Sequence, residues 1–345
     1  MAWPAGAAWA VGGSGSATAP AQQDTVNGDL ASGFGSLANG GDSTATGFTS
    51  TASGLQSTAT GAYSVASDVS STAMGAYSQA GNVGASAFGV SSTASGDGST
   101  ASGFGSAAST HGSTADGGQS TASGFGGSAL GYGTQATGFE GTAVGLGANA
   151  SGAQATAVGA GSRATGDNSM AFGSSSLASG VSSTAIGNNS VASGSNSLAS
   201  GNGSAASAAN SVALGAGSVA DQANTVSVGN AATGATRRIT NVAPAVLPTD
   251  AVNLAQLNSA VAGITDKSAQ YTRSLVAMSS AAGNAAATAA GMKGSSRVAL
   301  GVGSSAGQTA VGLAYQQSLG FWAATVNGSY DGSNSQIGGG AGFSW

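Results

Sequence analysis

Sixty-one of the 345 residues are glycine while only 6% are charged and 6% aromatic, so the chain lacks the large side chains of an ordinary globular core and something repetitive must replace it. Only one basic residue, Arg163, precedes position 237 against nine acids, and a chain so poor in Lys and Arg is excluded as a nucleic-acid binder. No cysteine is present, which removes disulfides and thiolate or Cys-ligated metal chemistry and suits passage through an oxidising periplasm.

In the lead, residues 1–26, the first 21 are small and apolar and end in Ala17-Thr18-Ala19 and Ala19-Pro20-Ala21, both of the A-x-A form that a signal peptidase accepts. A positively charged n-region is missing, so this lead reads as the remnant of a signal peptide or as a disordered start. No stretch approaches the ~18 apolar residues of a transmembrane helix, so any membrane crossing falls to strands.

Residues 27–235 repeat. Every fourteenth residue from Gly33 to Gly229 is glycine, with alanine two residues before each from Ala31 to Ala213 and five after each from Ala38 to Ala220. Seven residues hold one short strand and one tight turn, so fourteen make one coil of a two-stranded parallel β-roll, with Gly or Asn supplying positive φ in the turns. A helix is excluded because two glycines per unit cost about 1 kcal/mol each. Alternation along the strand puts the residues three and one before the periodic glycine on one face, and these include Met170 with Phe172, Thr184 with Ile186 and Val212 with Leu214. That column is the expected interior. The alanine columns then point outward, where close approach of identical rolls about an axis explains their small size. At ~4.8 Å per rung, fifteen rungs form a rod of roughly 70 Å.

Residues 236–264 form a neck and the start of a coiled coil. Pro244 and Pro248 punctuate, Thr249 or Asp250 is the expected helix cap, and Leu254, Leu257, Val261 and Ile264 follow with seam spacing. The same register continues through Tyr271 and Met278 to Ala282, Ala285 and Ala289, a taper that suits helices converging in a narrow space. Residues 265–345 complete a membrane anchor: a lumen helix, then four segments (297–303, 309–315, 321–330 and 336–345) that alternate large apolar with tiny residues. Four strands cannot close a barrel, and open edges are forbidden in lipid, so three chains must pool them into a twelve-stranded transmembrane barrel. Gly301, Gly303, Gly312 and Gly340 belong to the face expected to line the lumen.

At these residues the chain resembles the YadA-like trimeric autotransporter adhesins. The segments Asn168-Ser169-Met170-Ala171-Phe172-Gly173 and Asn210-Ser211-Val212-Ala213-Leu214-Gly215 resemble the family's adhesion-head repeat, which is a left-handed roll. Arg237, Arg238, Asp250, Asn253 and Leu257 fall in segments resembling its neck. Phe343 and Trp345 resemble the C-terminal signal read by the barrel-assembly machinery. The resemblance implies a homotrimer of the cell outer membrane, in contact with its lipid, whose barrel carries its own head to the cell surface. There the head attaches to host extracellular-matrix protein or neighbouring cells, or drives autoaggregation. Most units read STA or SLA where the family's collagen-binding heads repeat NSVAIG, which sets this head apart.

No cofactor, metal site or catalytic group is expected. His111 is the lone histidine at the start of a repeat, and the loose G-x-G-x-x-A stretch Gly145, Gly147 and Ala150 recurs with the period and precedes no βαβ unit. An alternative is a Thr-rich roll that binds ice or abiotic surfaces, suggested by the threonines at 44, 58, 72, 100, 114, 142 and 156. It leaves the neck, seam and barrel strands without a purpose.

Overall fold

The computed structural model describes residues 22–23 and 28–343; the rest of the lead and Trp345 lie outside the described residues. The chain divides into two units, Met1–Arg238 and Ile239–Trp345.

In the first unit each fourteen-residue coil carries a strand of two or three residues, a turn, a strand of two residues and a second turn, as in Val212–Leu214 followed by Val219–Ala220. Successive coils stack parallel and in register, Ser86 against Thr100 and Ala87 against Ala101. The result is two parallel sheets of fifteen strands each. Each rung bonds to both neighbours, Thr100 N–H donating to Ser113 O at 2.9 Å and Gly103 N–H to Phe88 O at 2.7 Å, so the backbone is satisfied by repetition where a core is thin.

The two faces are the reverse of the expected ones. Every seventh residue from Ala31 to Ala220 is an alanine, and together they form the continuous buried core of the roll. The residues three and one before the periodic glycine point outward: Leu214 is 49% exposed and Ile186 43%. Alternation fixes which residues share a face but not which face lies inside. Turns this short hold the two sheets too close for Val or Leu between them, so the interior takes only side chains of alanine size. A second interior column recurs at the same seven-residue interval and holds mostly serine, from Ser36 to Ser218. Many of these hydroxyls donate to the carbonyl three residues earlier, as Ser64 Oγ does to Gly61 O at 2.9 Å, which closes the turn from within.

The periodic glycines have a cause besides turn flexibility. Gly47 has φ +128°, and a Cβ there would lie 2.7 Å from the Gly61 carbonyl oxygen of the next coil. Coil-to-coil stacking therefore forbids a side chain. The turn positions themselves are less selective, because Tyr63, Tyr77 and Asn210 all adopt left-handed φ values of 54° to 61°.

The second unit holds one helix of 38 residues, Leu254–Gly291, and an antiparallel meander of four strands: Ser296–Ser305, Gln308–Leu319, Trp322–Tyr330 and Ser335–Phe343. The first and last strands do not pair, so the sheet is open at both edges. Its small face covers the helix, with Ala299, Ala310 and Ala314 buried beside Ala277, Met278, Ala281, Ala285 and Ala289. Its large face is exposed, Leu300 at 69% and Ile337 at 82%. Among the described residues no helix is long and apolar enough to cross a membrane.

Candidate functional site

The head presents repeated surfaces built from what each position in the coil allows. In Asn210-Ser211-Val212-Ala213-Leu214-Gly215, Asn210 makes the left-handed turn, and Ser211 and Ala213 are buried. Ser211 Oγ donates to Ala208 O at 2.7 Å. Val212 and Leu214 form the outer face, and Gly215 lies under the Arg237 guanidinium. Asn168-Ser169-Met170-Ala171-Phe172-Gly173 repeats this arrangement, with Met170 and Phe172 outermost, although Ser169 Oγ has no partner. The outer threonines form a single file, half-buried, beside a column that is mostly apolar from Met74 onward.

Like side chains stack along the turn edges because each coil repeats the same place. Phe34, Phe48, Tyr63 and Tyr77 form one ladder with ring centroids 5.5, 5.3 and 5.0 Å apart, and His111, Phe125 and Phe139 form another at 5.2 and 5.6 Å. Nearer the neck the ladder is amide: Asn196 donates to Asn210 at 3.3 Å and Asn210 to Asn224 at 3.1 Å. His111 is thus a ring in a stack. Among the described residues no group of three or more His, Cys, Asp or Glu could hold a metal ion.

Charged side chains finish the roll. Asp29 stands in the register of the serine column, and its Oδ1 accepts from the Ser43 hydroxyl at 2.6 Å, Ser43 N–H at 2.8 Å and Gly41 N–H at 2.9 Å. These donors, the Ser43 hydroxyl foremost, hold its carboxyl below the usual range against the opposing pull of desolvation. At the other end Arg237 donates to Ser218 Oγ at 2.8 Å, Val228 O at 2.6 Å and Ala216 O. Arg238 is exposed.

Asn253, and not Thr249 or Asp250, caps the helix. Its side chain accepts from Gln256 N–H at 3.0 Å, and the Gln256 side chain accepts from Asn253 N–H, a reciprocal capping box. The Gln256 amide also grips the irregular segment before it, accepting from Ala245 N–H at 2.8 Å and donating to Ala245 O at 3.1 Å, while Asn253 donates to Val242 O. Asp250 turns backward instead: its carboxylate accepts from Leu247 and Val246 N–H, and these bonds lower its proton affinity. Leu257 is 53% exposed in the single chain. Sequence reading missed Gln256, yet the spacing N-x-x-Q before an apolar run was a readable sign of it.

In the second unit, a Cβ on Gly301, Gly303 or Gly312 would overlap the backbone of Ala277, Ala281, Ala282 or Ala285. Gly340, on the last strand, has nothing within 4 Å in that direction. Phe343 packs its ring on Trp322 at 5.7 Å. Arg297 was not foreseen: it donates to Gly294 O, Ala290 O and Gln316 Oε1, tying the helix C-terminus to the first strand.

Along the chain, a roll of stacked coils is followed by a capped helix under an open four-stranded sheet. The family described as the YadA head domain repeat matches in overlapping copies between residues 45 and 232, and the coiled stalk of trimeric autotransporter adhesin matches residues 238–280. The chain belongs to the YadA-like trimeric autotransporter adhesins. It is 29% identical to the collagen-binding domain of the Yersinia adhesin YadA, over 56% of this chain and 84% of that one, with a TM-score of 0.28. No curated protein matches it.

Proposed function

We propose that three copies of this chain form an outer-membrane adhesin whose pooled strands make a twelve-stranded barrel around three helices. The observation that carries this reading is the open four-stranded sheet, small on the helix side and apolar on the other. In lipid its unpaired edges must be closed, and the exposed Val298, Leu300, Val302, Val311 and Leu313 suit contact with acyl chains. Leu254, Leu257, Val261 and Ile264, all exposed in one chain, are the matching seam. In the head, the column one residue before the periodic glycine is the face that packs on the other two rolls. It includes Met74, Phe88, Leu130, Val144, Val158 and Leu214, whereas the opposite sheet presents Gln79, Gln135, Asn149 and Arg163 outward.

The barrel delivers the head to the cell surface with the help of the barrel-assembly machinery. The head then attaches to host matrix or to neighbouring cells through its repeated outer sheet and turn edges, where weak contacts multiply over coils and chains. Expression in a non-adherent Gram-negative host tests both halves. Chains should reach the outer-membrane fraction as trimers, and the cells should settle together or adhere to a panel of matrix proteins. Surface display without either phenotype would remove adhesion, and absence from the membrane fraction would remove the anchor.

A further inference from the structure

The sheet face assigned above to the trimer interior has two outward columns, running from Leu30 to Val226 and from Ser32 to Val228. Their residues are apolar, Ser or Thr, with one exception, Asp116. It stands in register between Ser102 and Leu130, beside Thr114 and its neighbours Thr100 and Ser128. Among the described residues no hydrogen bond or ion pair engages its carboxylate, and it is exposed in the single chain. No other titratable side chain occupies either column.

We infer that Asp116 places a ring of three like-charged carboxylates on the threefold axis of the head, a built-in weak point that loosens the distal coils when the ring is charged. The inference rests on the trimer and on which face is interior. Threefold symmetry brings identical positions of an axial face together, and no neighbouring cation is present on that face to offset the repulsion. The coils toward Leu30 have Thr44, Thr46, Thr58 and Thr60 in these columns and only Leu30, Met74 and Phe88 as large apolar residues, so less apolar contact opposes separation there. The coils toward the neck have Val158, Met170, Phe172, Ile186, Leu198 and Leu214, which hold together without help. Loss of the charge by substitution then tightens the distal half alone.

The chain has no cysteine, so a single introduced one reports its neighbours cleanly. In full-length trimer extracted in detergent, oxidised Asp116→Cys should give interchain dimers on a non-reducing denaturing gel with an unpaired third chain, because a disulfide needs Cβ atoms only ~4 Å apart. Glu140→Cys, on a turn edge, should stay unlinked, and Leu257→Cys in the seam should link. Linkage at 257 without linkage at 116 overturns the axial ring and leaves the trimer standing; linkage at neither overturns the trimer as well. Asp116→Asn should raise the temperature at which the distal head becomes protease-sensitive at neutral pH. An unchanged temperature would show that the carboxylates do not repel.

Discussion

Ala80 has no accessible surface and fills the gap between two sheets, while its neighbour Gln79 points away from the roll. Ala80→Val adds two methyl groups where no room exists and should cost about 1–3 kcal/mol per chain. Gln79→Val, on the outside, should stay within about 0.5 kcal/mol. Thermal melting of the detergent-extracted protein followed by circular dichroism separates the two, and equal tolerance would mean that the alanine column is not the core. This contrast marks the limit of what the amino-acid order revealed. The fourteen-residue period and the pairing of residues on a face follow from spacing alone, but which face is interior depends on sheet separation, which the turns set and no side chain announces. Serine in the interior was illegible for the same reason, since a polar residue reads as surface until its hydroxyl is seen bonded to the carbonyl of its own turn.

The neck and the anchor each hang on a few local bonds. Asp250 has its proton affinity lowered by the Leu247 and Val246 amides. A carboxyl that is lowered in the folded state contributes stability that is present above its ordinary value of 3.8 and is lost as the pH falls through the lower, folded value. Protease cleavage between Asn241 and Asn253 should therefore stay slow from neutral pH down to about 4 and quicken only below it. Asp250→Asn should flatten that profile. In the anchor the alternation of large and small residues was legible because a two-sided sheet writes its faces into the sequence. The helix cap lies later than expected because Thr249 and Asp250 suit a cap as well as Asn253 does, and only the Gln256 amide, reaching to Ala245, decides among them. Gly312→Phe should push against the Ala281 backbone and reduce trimer yield on semi-native gels, at about 1–3 kcal/mol per site. Leu313→Phe, exposed next to it, should leave that yield unchanged.

At the scale of the whole molecule the roll is a one-dimensional stack, and each coil touches only its neighbours. Removing residues 128–141 deletes one full coil and should leave a folded head one rung shorter. Removing only residues 128–134 joins unlike turns, since the glycine of φ near +125° occurs once per coil and not twice, and should destroy the distal half. Limited proteolysis of displayed heads distinguishes these results, and survival of the seven-residue deletion would mean that the two halves of a coil are interchangeable.

The alanine core also bears on how such a head changes in descent. A thick core couples its parts, so that an insertion anywhere disturbs packing everywhere. Here the interior at one rung is nearly the same as at any other, and a gene slipping by one repeat during replication yields a chain that still folds. Reach from the cell can thus be reset by copy number in a single step, while the ladders of phenylalanine, tyrosine and asparagine on the turn edges drift separately, rung by rung, under whatever surface the cell next encounters.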